Sequence, residues 1–86
     1  MRIKVLDSEN NELYVFIEPS NTIEKLKFNI RKLKGIPESE NIQLFYNSQR
    51  LLDNKKVIDY NIEDEADITY TGQFNAGIKI NKNNYK

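Results

Sequence analysis

The chain holds neither cysteine nor histidine. That absence removes disulfides, thiolate metal sites and thiol nucleophiles, together with the usual general base and the usual zinc ligand. Any reaction would have to run on carboxylates, lysines, tyrosines and hydroxyls. The densest group of such side chains is the acidic run Glu63-Asp64-Glu65 with Asp67. Clustered carboxylate oxygens can hold calcium, but the glycine and terminal glutamate of a calcium loop are missing from this spacing. The run reads as a solvated acidic loop that would raise the association rate with a basic partner more than the affinity. No catalytic residue, metal ligand or cofactor site is assigned, and the chain is not expected to be an enzyme.

Length and charge bound the alternatives. A chain of 86 residues makes one domain, which at this size buries only about two-thirds of its unfolded surface. Thirteen basic and thirteen acidic residues cancel, so the overall charge recommends neither nucleic acid nor an anionic membrane as partner. The balance is uneven along the chain: Lys79, Lys82 and Lys86 lie in a terminal stretch without acids, which leaves the body mildly acidic. There is no basic-then-apolar leader and no apolar run near the roughly 20 residues that span a bilayer. A soluble, monomeric protein of the cytoplasm or nucleus is the expectation.

The hydrophobic pattern supplies the elements. Met1, Ile3 and Val5 alternate with Arg2 and Lys4, and Leu13, Val15 and Ile17 resume the alternation after the polar turn Asp7 to Asn11. These two strands form a hairpin that ends by Pro19. The period then changes to that of a helix, with Ile23, Leu26, Ile30 and Leu33 as its apolar stripe. Thr22 is its N-cap, Lys34 suits the dipole in the last turn, and Gly35 followed by Pro37 closes it. Ile42 to Tyr46 reads as a third strand, turned at Asn47-Ser48 into a short fourth around Arg50-Leu51. Val57, Ile58 and Ile62 fall in a loop with one helical turn, and Ile68 to Thr71 reads as the last strand. This is an α+β unit, one helix across one face of a small sheet.

Glu18-Pro19-Ser20-Asn21-Thr22-Ile23-Glu24, Gly35-Ile36-Pro37 and Asp59-Tyr60-Asn61-Ile62 are dispersed, specific and in register with ubiquitin. Over about residues 1 to 77, with one extra residue between Pro37 and Leu44, the chain resembles the ubiquitin-like family. The resemblance implies the β-grasp fold, a mixed five-stranded sheet ordered 2-1-5-3-4 with one main helix from about Thr22 to Lys34. It implies a domain of residues 1–72 followed by an Asn/Lys-rich tail or linker, 73–86. It further implies three structural residues: Lys27 buried and paired with Asp53, and Tyr60, whose hydroxyl ties the long loop to the backbone near Leu52.

The surfaces that ubiquitin uses are altered here. Its aliphatic recognition patch matches Ser8, Phe45 and Thr71, of which only Phe45 is an apolar anchor, so ordinary ubiquitin receptors should bind weakly. Strand alternation turns Leu6, Tyr14 and Phe16 outward beside Phe45, an aromatic patch that the core cannot use. Phe28 faces solvent on the helix among Lys25, Arg31 and Lys32. Of the linking lysines only Lys27 is retained, and Gln49 stands where proteasomal chains are built.

The reading is a non-catalytic protein-interaction domain within a larger protein of the eukaryotic ubiquitin–proteasome or a related pathway. Its partner-binding residues are Leu6, Tyr14, Phe16, Phe45 and Thr71. The partners are proteins, with ubiquitin receptors or proteasome-associated proteins as candidates and no membrane. Two alternatives concern the tail. Ala76-Gly77 aligns with the conjugated terminus of modifiers, which makes the chain a modifier precursor if it is cut after Gly77. The lysines and Tyr85 of the tail resemble the RNA-contacting ends of ubiquitin-like splicing factors, but without their arginines and glycines.

Overall fold

The computed structural model describes residues 1–73 of the chain. Strands β1 (Arg2–Leu6) and β2 (Glu12–Phe16) form the opening hairpin, and helix α1 spans Ile23–Lys34. Strand β3 (Asn41–Tyr46), the two-residue β4 (Gln49–Arg50), a 3₁₀ turn at Val57–Tyr60 and β5 (Asp67–Gln73) follow. The sheet order is β2-β1-β5-β3-β4, with β1 and β5 parallel in the middle and every other pairing antiparallel. One helix crossing this mixed sheet is the β-grasp, ubiquitin-like arrangement.

The local chemistry explains the boundaries. Thr22 Oγ1 accepts from the Lys25 amide at 3.2 Å, satisfying one orphan donor of the first turn. Two more are met from the long loop after β4, whose Lys55 and Asp53 carbonyls accept from the amides of Ile23 at 2.8 Å and Glu24 at 3.1 Å. At the other end Gly35 adopts φ 71°, and the Ile36 amide donates to the Arg31 carbonyl at 2.9 Å. The β3–β4 turn is made by Asn47 and Ser48 with φ of 52° and 67°, the paired positive values of the hairpin turn that matches strand twist.

Between helix and sheet lie Ile3, Val5, Val15, Ile17, Ile23, Leu26, Ile30, Ile42, Leu44, Leu51, Val57, Ile62, Ile68 and Tyr70, all buried. Three expectations are corrected. Leu33 does not complete the helix stripe: it is 58% exposed, and the fourth buried position of α1 is Lys27. At 100° per residue Leu33 lies on the β2 flank of the helix, and β2 is the outermost strand, with no further strand among the described residues to cover that flank. Leu51 is not part of the fourth strand, which stops at Arg50; it enters the core immediately afterwards. The last strand is longer than the sequence pattern suggests, running from Asp67 through Gln73.

Candidate protein-interaction surfaces

Strand register fixes what the open face of the sheet presents. Leu6 lies opposite Glu12 of β2 and Thr69 of β5, Thr69 opposite Phe45 of β3, and Phe45 opposite Arg50 of β4. One row therefore crosses all five strands as Glu12, Leu6, Thr69, Phe45, Arg50. Tyr14 faces Lys4 in the next row, and Phe16 faces Arg2 beyond it. Thr71 lies on the other side of that row, opposite Gln43. The five residues singled out from sequence thus share one face, but they differ in exposure. Leu6, Phe45 and Thr71 are half-buried, whereas Tyr14 is 43% and Phe16 73% exposed. Phe16, not Phe45, is the most exposed apolar side chain of this face.

The β2 side has a feature that helical periodicity concealed. Val15, Phe16, Asn29, Lys32 and Leu33 line a shallow, mainly apolar groove of about 280 Å³ between β2 and α1. The Met1 and Ile17 backbones exchange hydrogen bonds, the Ile17 amide donating to the Met1 carbonyl at 2.9 Å, so Ile17 and, by alternation, Val15 turn their polar groups toward β1. Tyr14 and Phe16 consequently turn theirs to the outer edge of the sheet, which no strand among the described residues pairs. The surroundings are basic: Lys32 lines the groove, Lys25 and Lys32 stand 5.1 and 5.4 Å from the centre of the half-exposed Phe28 ring, and Arg2 lies 4.5 Å over Tyr14. Phe28 is flanked by cations rather than standing alone. The signal that could have exposed the groove is Leu33, too far round the helix for the sheet.

The acidic run is spent on the fold. The Arg2 amide donates to Asp64 Oδ1 at 2.8 Å, the Arg2 guanidinium pairs with Glu65 at 2.8 Å, and Lys4 Nζ is 3.9 Å from Asp67. These contacts lash β1 to the loop before β5. Among the described residues no three acidic side chains converge as metal ligands would.

The remaining matched positions have internal partners. Lys27 Nζ lies 2.6 Å from Asp53 Oδ1, and the Tyr60 hydroxyl accepts from the Leu52 amide at 2.9 Å. Ala76 and Gly77, the positions of a conjugation terminus, and the basic tail lie outside the described residues.

A family model described as ubiquitin-2 like, Rad60 SUMO-like matches residues 1–69, which is most of the chain. The chain belongs to this SUMO-like family. The SUMO-like match ends at the third residue of β5, so it reaches every element of the fold and stops before Thr71. Domains of this ubiquitin-like type are generally non-catalytic and typically mediate protein interactions, in keeping with a site made of an apolar groove, an open strand edge and flanking cations. No helix among the described residues is long and apolar enough to cross a membrane.

Proposed function

We propose that this SUMO-like domain is a non-catalytic docking module that works in the cytoplasm or nucleus as part of a larger protein in a ubiquitin-type pathway. It binds an extended, apolar segment of a partner protein along β2. The observation that carries the reading is the coincidence, at a strand edge left unpaired among the described residues, of Phe16 and Leu33 at 73% and 58% exposure with an apolar groove between them. Addition of a strand to that edge supplies main-chain hydrogen bonds, and the groove selects the side chains. Lys25 and Lys32 favour acidic residues beside the apolar segment.

The test is a titration with a short synthetic strand peptide, rich in valine and isoleucine with aspartates at one end, followed by amide NMR. Saturable shifts at Tyr14, Phe16 and along Asn29 to Leu33 are expected, and Phe16→Ala should abolish them without lowering the melting point. Binding that survives Phe16→Ala but fails in Phe45→Ala would move the site to the sheet centre and sink the groove reading.

A further inference from the structure

The outer edge of β2 is complementary to itself. Because Met1 and Ile17 exchange both backbone hydrogen bonds, Leu13 and Val15 turn their amides and carbonyls to β1, and Glu12, Tyr14 and Phe16 turn theirs outward. The edge is bounded at both ends. The Asn10 amide is taken by the Asp7 carbonyl and the Glu18 amide by Asn21 Oδ1, each at 2.9 Å.

A strand with such an edge can pair antiparallel with a copy of itself about a two-fold axis, and one register uses the whole edge. With the axis at Tyr14, the two Tyr14 residues meet and Glu12 meets Phe16 of the second copy, so every outward residue exchanges both its bonds. Sliding by two residues leaves one outward residue of each copy unpaired. Sliding by one sets outward groups against groups already turned to β1.

The side chains favour the same register. Glu12, Tyr14 and Phe16 share the open face, and Arg2 lies opposite Phe16 within its own sheet. Across the joined sheets one row reads Arg2, Phe16, then Glu12 and Leu6 of the second copy, and the two-fold repeats it in reverse. Arg2 leans toward the axis, 4.5 Å over the Tyr14 ring, within reach of that second Glu12. Opposite charges on one face of neighbouring strands attract. On the helix side Leu33, 58% exposed, lines the groove beside Val15, one residue from the axis, and the two-fold sets it against its own mate.

Given the open β2 edge on which the docking reading also rests, we infer that a second copy of this chain occupies that edge when no partner does. The homodimer joins two five-stranded sheets into one and closes the docking groove, so self-association and partner binding exclude each other. Area and charge both keep the contact weak. An edge of five residues buries less than the roughly 1,600 Å² of a standard interface, and Lys32 lines both grooves near the axis, like charge against like. An acidic strand meets no such repulsion and displaces the second copy.

Sedimentation equilibrium of the full chain from about 10 μM to 1 mM should show one chain passing toward two. Over that range amide exchange should slow at Glu12, Tyr14 and Phe16 and stay as it is at Leu13 and Val15, which β1 already holds. Glu12→Arg and Arg2→Glu should each weaken association about tenfold, and an equimolar mixture of the two should recover it, since each charge then meets its opposite. Leu33→Lys, on the exposed flank of the helix, should also weaken it, and serves if Arg2→Glu, which loses the Glu65 pair, fails to fold. Added to the dimer, the synthetic valine- and isoleucine-rich strand peptide should return it to single chains. A chain that stays monomeric throughout yet binds the peptide overturns this proposal and leaves the docking reading standing. Association without protection of the three edge amides overturns it too. A dimer protected at those amides that ignores the peptide supports the self-pairing and sinks the docking reading.

Discussion

Lys27 Nζ and Asp53 Oδ1 are 2.6 Å apart, yet the lysine side chain is 9% exposed and the aspartate side chain 58%. The pair is a buried cation reached by a surface carboxylate. The asymmetry decides which mutation hurts.

Asp53→Ala leaves an ammonium enclosed without its counter-charge and should destabilise by about 1 to 3 kcal/mol. Lys27→Met returns Asp53 to water and fills the same volume with an apolar chain, so its cost should stay within about 1 kcal/mol. Urea unfolding of the two variants reads the difference. A larger loss for Lys27→Met would show that the carboxylate, not the ammonium, depends on the pair.

Tyr60→Phe tests the tie across the long loop. The variant keeps the ring and removes the acceptor of the Leu52 amide, and it should cost about 0.5 to 1.5 kcal/mol. Because the loop also caps the first turn of α1, hydrogen exchange should speed at the Ile23 and Glu24 amides, whose acceptors belong to it.

The hairpin turn between β1 and β2 carries a pH dependence. Asp7 accepts from the amides of Asn11 and Glu9, each at 2.9 Å, and from the Asn11 side chain at 3.1 Å, with Lys34 Nζ 3.8 Å away. The Asn11 amide bond is foremost in holding this carboxyl below its ordinary value of 3.8. A carboxyl whose folded-state pKa is depressed contributes stability above its unfolded value and loses it as the pH falls through the folded one. Melting points should therefore separate wild type from Asp7→Asn at neutral pH and converge in acid, below about pH 4. A constant gap across that range would refute the assignment.

Ser48 pays the ordinary steric cost of a left-handed conformation, φ 67°, at the β3–β4 turn. Ser48→Gly should stabilise by about 1 kcal/mol, the left-handed cost outweighing the added freedom of the unfolded chain. Thermal unfolding checks it, and a drop in melting point would mean that the serine side chain makes a contact the turn needs.

Much of this architecture was legible in the residues because local chemistry and global fold agree. Thr22 and Gly35 mark the helix ends, and the alternations of Ile3 with Val5 and of Ile42 with Leu44 mark the inner face. The site was less legible. Register alone shows that Leu6 and Phe45 share a row, and no local pattern separates their half-burial from the exposure of Phe16. Leu33 misled because helical periodicity reports a stripe without saying how wide the sheet beneath it is.

The central place of β5, between β1 and β3, has a consequence for biogenesis. Arg2 meets Asp64 across 62 positions of chain, and the pairing of β5 with β1 begins just beyond. Loop closure on that scale must precede any reward from the contact, which slows folding relative to a chain of local contacts. During synthesis the hairpin, the helix and β3 all leave the ribosome before the strand that joins them. Until then the facing edges of β1 and β3, with Val5, Ile42 and Leu44 beside them, have no partner. A nascent or prematurely terminated chain that lacks residues 67–73 is thus a natural client for chaperones and proteases.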